Sequence, residues 1–292
     1  MQLAVEALHR AGFTVGDLRL IRLHSNGVFR VPSHRIIVRV GVGADVEGRA
    51  RRAVVVTRWL ETLGFPSVMP VAGVTQPIML DDKAGFRHAV TFWREVYLDA
   101  EPVAPADLGA LLRRLHGLAE PPEELPIFRP LDRLVEVTQS NSWLDSSDRG
   151  WLASRAAELQ DALDTSIFTL GPTGLVHGDA QLANVLRVVD VGPALADWDG
   201  VASAPREWDL VPMAVEQRFG GSPQMLRELL DAYGTDPSGS AGWTTLRDIY
   251  ELRSVAAHIR RAPLSPSHAI EASRRIDSLR RGDPMIRWFP VG

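Results

Sequence analysis

The sequence predicts an α+β chain: a small antiparallel sheet first, then a mainly helical half. Three observations carry that expectation. Short apolar runs bounded by turn residues crowd the first 96 residues. Helical spacing dominates the remainder of the chain. One apolar hairpin, near residues 185–196, interrupts the helices.

Taken in order, Gln2 to Ala11 has helical spacing through Leu3, Ala4, Ala7 and Leu8, and Gly12 ends it. Leu18 to Leu23 alternates apolar and basic residues, as a strand does. His24 to Gly27 is a turn, Val28 to Val31 resumes the strand, and Arg35 to Val40 is a second strand around Ile36, Ile37 and Val38. Asp45 is placed to cap a helix running to about Leu63, which Gly64-Phe65-Pro66 stops. Val68 to Val74 and Ile78 to Leu80 predict further short strands, and His88 to Val96 is an apolar run leaving the sheet.

The pattern then turns helical. Pro105 to Ala119 lines up Leu108, Leu111, Leu112, Leu115 and Leu118 on one side. Leu131 to Gln139 and Asp148 to Leu163 are predicted helices, as are Glu207 to Phe219, Pro223 to Tyr233, Trp243 to Arg261 and His268 to Arg280. Between the two groups lies the hairpin. Val185 to Val189 and Ala194 to Ala196 are its strands, and Asp190 to Pro193 its turn.

Composition narrows the classes. The 292 residues are 45% apolar, enough for a substantial core, and the net charge is −4 with both signs interspersed. A nucleic-acid partner would call for a clustered basic face, and none is present. Without cysteine there is no disulfide or thiolate chemistry. No apolar run reaches membrane-span length, and Met1 to Arg10 does not read as a signal peptide.

The chemistry concentrates in His177-Gly178-Asp179, Asn184 and Asp197. Asn184 just precedes the first hairpin strand and Asp197 just follows the second. Antiparallel pairing brings both to one end, where their oxygens can share a cation. Magnesium takes few protein oxygens, keeping waters and substrate phosphates, so two suffice. Phosphoryl transfer from a magnesium nucleotide needs a carboxylate at the attacking hydroxyl, then an amide and a second carboxylate on the metal. Asp179, Asn184 and Asp197 supply these in that order. His177 sits among apolar residues and is read as a structural histidine rather than a proton carrier. Gly43 to Ala50 has glycines at phosphate-loop spacing, but Arg49 and Ala50 stand where Lys and Ser or Thr are required.

On these residues the chain resembles the aminoglycoside phosphotransferase/choline kinase-like family, which has the protein-kinase-like fold. Leu108 to Leu118, with Leu115-His116, is similar to that family's helix ending in Leu-His, and Pro205 to Leu210 resembles the segment after its metal aspartate. The resemblance implies two lobes: residues 1–96 covering the nucleotide, and 97–292 with the catalytic hairpin and acceptor site. It also implies that Ser25, Asn26 and Gly27 face the phosphates. Phe92, Trp93, Arg94 and Glu95 would belong to the linker that contacts the base, although core packing explains the two aromatics equally well.

The chain departs from the family at one point. The lysine that contacts the phosphates is replaced by Arg39, and the helix glutamate that pairs with it falls on Ala53. Glu47 and Glu61 do not share that helix face. The ion pair is therefore expected to be missing or built differently.

The resemblance implies a magnesium-dependent O-phosphotransferase. It would move phosphate from ATP or GTP to a hydroxyl of a small molecule, most readily an antibiotic, in the cytoplasm. A metabolic kinase for a sugar, amino alcohol or hydroxy amino acid is the alternative, or a nucleotide-binding pseudokinase. Asp199, Glu207, Glu216 and Asp231 would lie near the acceptor wall, each more readily explained as a solvated charge. Neither the acceptor nor the oligomeric state is legible.

Overall fold

A computed structural model describes residues 1–23, 26–43, 45–119, 121–166 and 170–291. They form two compact units, 1–126 with 177–202, and 127–176 with 203–292. Segments beyond Tyr97, including the hairpin, thus fall in the first unit.

The first unit opens with helix α1 (Gln2–Arg10). Strands β1 (Arg19–Leu23), β2 (Gly27–Val31) and β3 (Ile36–Val42) follow, then helix α2 (Val46–Thr62) and strands β4 (Ile78–Asp81) and β5 (Arg87–Arg94). The sheet order is β1-β2-β3-β5-β4, and each neighbouring pair is antiparallel. Alternation divides the sheet into two faces. Phe29, Val31, Ile36, Val38, Val90 and Phe92 form one core with Ala4, Ala7 and Leu8 of α1. Val28, Arg30, Ile37, Arg39 and Trp93 take the other parity, and all five line a cavity.

Several expectations change here. Asp45 precedes α2 but makes no side-chain cap; its carboxylate binds Arg52 at 2.6 Å instead. Val68 to Val74 is not a strand. It follows β5 through the bond from Val71 N–H to Phe92 O and a bridge at Pro70. His88 to Val96 is mostly sheet: its first seven residues belong to β5.

Helix α3 (Pro105–His116) follows, burying Leu108, Leu111, Leu112 and Leu115. The unit ends with the hairpin strands β7 (Val185–Val188) and β8 (Gly192–Leu195), numbered after β6 (Thr173–Val176) of the second unit. Arg187 of β7 binds Asp107 of α3 at 2.5 Å, and this ion pair ties hairpin to helix.

The second unit holds α4 (Asp132–Ser140), α5 (Ser146–Ser166), β6 and β9 (Ala202–Pro205), which pair as a two-stranded sheet. Then come α6 (Val211–Val215), α7 (Pro223–Tyr233), α8 (Ala241–Arg253), α9 (Val255–Arg261) and α10 (Pro266–Arg280). The helix expected over Glu207 to Phe219 is broken into 3-10 turns on either side of α6. That expected over Trp243 to Arg261 divides at Ser254, between α8 and α9. Among the described residues, no helix is long and apolar enough to cross a membrane.

Candidate active site

The segment around Asp179 turns on two glycines. Gly178 has φ +80, and a Cβ there would run into the Gly200 carbonyl. Only glycine lets the two backbones pass this closely. His177, fully buried, fastens the segment. Its Nε2 lies 2.9 Å from the Ala196 carbonyl, and its Nδ1 accepts the Asp179 N–H at 3.4 Å. The ring also lies against Trp198, centroids 4.7 Å apart. The role is structural: His177 locks the Asp179 loop to the residue preceding Asp197.

Asp179 is held by amides. Gln181 Nε2 donates to its Oδ1 at 2.7 Å; Asn184 Nδ2 donates to its main-chain oxygen at 2.8 Å and to Oδ2 at 3.2 Å. Gln181 was not singled out from the sequence, although its offset of two residues was the available signal. With its Nδ2 spent on Asp179, Asn184 presents Oδ1 as an acceptor with no partner among the described residues. Ala196 N–H donates to the Asn184 carbonyl at 2.8 Å, joining the hairpin ends as expected.

Asp197 adopts a left-handed conformation, φ 64 and ψ 62, and opens a 3-10 turn over Trp198–Gly200. Trp198 is buried, donating from Nε1 to Ser67 Oγ at 2.8 Å, and this anchors the turn. The flanking carboxylates meet one guanidinium: Arg39 Nη2 donates to Asp197 Oδ1 at 2.7 Å, and Nη1 to Asp199 Oδ1 at 2.5 Å. Burial opposes the Arg39 charge, but attraction by Asp199 and then Asp197 outweighs it and holds the guanidinium above its ordinary pKa. Asp199 is therefore no solvated surface charge. The chain's one lysine, Lys83, lies in the turn between β4 and β5.

A cavity of about 480 Å³ adjoins these groups. Val28, Ile37 and Trp93 line it from the sheet; Leu186 and Ala196 line it from the hairpin. Arg39, Asp197 and Asn184 border it too. So do Arg30 and Glu95, paired at 2.5 Å. Arg30 is opposite Ile37 and Val28 opposite Arg39, so the two charged ends lie about two strand residues, roughly 7 Å, apart. An apolar slot with a cationic end suits a flat base carrying phosphates.

Trp93, Arg94 and Glu95 reach this cavity. Phe92 does not: strand parity turns it into the α1 core, where it is fully buried. Asn26 borders a small void with Arg39 and Asp199, and Gly27 starts β2 with its backbone buried. Ser25 lies outside the described residues. Arg22 of β1 was missed. Its Nη2 is 4.0 Å from Asp197 Oδ2, and the basic alternation of β1 was the signal.

The donor set fits magnesium: the Asn184 amide oxygen and Asp197 Oδ2 are two hard oxygens not spent on hydrogen bonds. Among the described residues, no three His, Asp or Glu side chains gather into a preformed metal site.

Residues 18–249 match the profile of a family described as "Phosphotransferase enzyme family" (APH). Among curated proteins, none is significantly similar in sequence. Solved structures are. Amicoumacin kinase hAmiN, in complex with AMP-PNP, calcium and Ami, is similar at TM-score 0.70 and 12% identity, covering 93% of this chain and 90% of that one. A microcompartment-associated aminopropanol kinase gives 0.69 and 18%, covering 98% and 99%. A choline/ethanolamine kinase family protein from Mesorhizobium loti gives 0.62 and 19%, covering 97% and 95%. At these identities the likeness establishes the fold.

Proposed function

This chain belongs to the phosphotransferase enzyme family, and from that premise we propose that it transfers the γ-phosphate of ATP or GTP to a hydroxyl of a small molecule. What carries the reading is that Asn184, Asp197 and Arg39 border one apolar slot and that Asn184 is bonded to Asp179.

Asp179 takes the hydroxyl proton. Its two amide partners both donate to it and fix the direction of its oxygens. Asn184 and Asp197 would hold magnesium through their free oxygens, and the ion would supply charge neutralisation at the nucleotide phosphates. Arg39 adds fixed positive charge where negative charge develops on the transferring group. Val28, Ile37 and Leu186 enclose the base, and Glu95 and Arg94 lie at its edge.

An antibiotic is the acceptor class we favour, in keeping with the amicoumacin kinase likeness. An amino alcohol is the second, in keeping with the aminopropanol kinase. A turnover screen with magnesium ATP and GTP against antibiotics, sugars and amino alcohols decides among them. Acceptor-dependent release of nucleoside diphosphate is the expected result. Nucleotide binding without turnover on any acceptor would instead mark a pseudokinase.

A further inference from the structure

We propose that Asp199 is the positioning residue for Arg39, doing from the Asp197-Trp198-Asp199 turn what a carboxylate on α2 does not do in this chain. The inference rests on the phosphotransferase reading above.

Helix α2 has two glutamates, and both are engaged elsewhere. Glu47 pairs with Arg87 at 3.7 Å and Glu61 with Arg94 at 2.7 Å. Ala53, at the middle of the helix, is 1% exposed and offers no charge. Yet Arg39 is largely buried, its side chain 13% exposed, and a charge so placed needs fixed counter-charges. It finds two, 2.5 Å away at Asp199 and 2.7 Å away at Asp197.

The two carboxylates are not equivalent. Asp197 would have a second task, since its Oδ2, not bonded to Arg39, is the oxygen that would hold magnesium. Asp199 has one: Arg39 is its sole polar partner among the described residues. If Asp197 were drawn to a metal, Arg39 would still be held by the Nη1 bond to Asp199. Arg39 keeps its place when its charge is needed.

The same geometry explains the residue type. A guanidinium presents separate N–H groups to two acceptors, one at each side of the Trp198 anchor; an ammonium is a single point charge. The arginine and the two-aspartate turn are matched to each other.

The test is a double-mutant cycle in the full-length chain with Arg39→Ala and Asp199→Asn. The first readout is turnover of magnesium ATP. Asp199→Asn should lower kcat by about 30-fold or more in the Arg39 background, yet by under about twofold beside Arg39→Ala. The magnesium midpoint should not move, and Asp199→Glu should recover part of the loss. The second readout is thermal unfolding without nucleotide or metal, where the two losses should be strongly non-additive. Additive losses in either readout would overturn the proposal. So would a magnesium midpoint raised about tenfold by Asp199→Asn, which would make Asp199 a metal ligand. Absence of turnover and of nucleotide stabilisation in the wild type would count against the phosphotransferase reading instead. The thermal cycle would then still decide whether the pair acts as a unit.

Discussion

Asn184 donates one amide nitrogen to both the main-chain oxygen and the carboxylate of Asp179, at 2.8 and 3.2 Å. The residue assigned to the metal thus also orients the residue assigned to the acceptor. If the proposed roles hold, proton removal and charge neutralisation share one loop, and a disturbance of either would be felt by both.

Asp179→Asn tests the base. The amide keeps the shape but cannot accept the hydroxyl proton, so turnover should fall by at least about 100-fold. Nucleotide binding should survive, read as the thermal stabilisation by magnesium ATP. Wild-type turnover in this variant would refute the assignment.

Asp197→Ala removes the carboxylate placed on the metal. Stabilisation by nucleotide plus magnesium should shrink towards that given by nucleotide alone, as calorimetric titration would show. If the magnesium-dependent part is unchanged, the metal is held elsewhere.

Arg39→Lys conserves the charge but not the fork. It should recover only part of the kcat lost in Arg39→Ala, because an ammonium does not reproduce both bonds to Asp197 and Asp199. Full recovery in steady-state kinetics would show that charge alone matters there.

Gly178→Ala should destabilise the fold by about 2 kcal/mol or more, from the positive φ and from collision with the Gly200 carbonyl. For a chain of this size the melting temperature should drop by about 3 °C or more. An unchanged melting temperature would mean that the backbones separate readily.

His258 predicts an acid-sensitive stability. Its ring is buried with Nδ1 3.0 Å from His268 Nδ1, and desolvation, then Arg275, His268 and Arg261, push its pKa down to about 4. As pH falls below the unfolded value of about 6.5, the unfolded chain takes up a proton that the native ring refuses. The stabilisation is whole above pH 6.5 and is lost as pH approaches 4. Denaturant titrations from pH 7 to 5 should show a steeper decline for the wild type than for His258→Asn. Equal slopes would remove His258 as the cause.

Local spacing made much of this protein legible in advance. Asn184 and Asp197 meet because a hairpin of known length separates them, and strand parity follows from a period of two. The helices of the second half were readable wherever apolar residues recur at helical intervals. The breaks around Val211–Val215 and at Ser254 were not, since helical apolar spacing continues past a local break. Phe92 and Trp93 show the limit in miniature. They alternate faces by necessity, but which face meets α1 and which the cavity depends on packing. The partners of Arg39 lie 158 and 160 residues away. Helix periodicity excluded Glu47 and Glu61 from the face of Ala53, but it could not nominate Asp199. Backbone periodicities act over a few residues. The choice of a buried arginine's counter-charge is made by the fold that desolvates it.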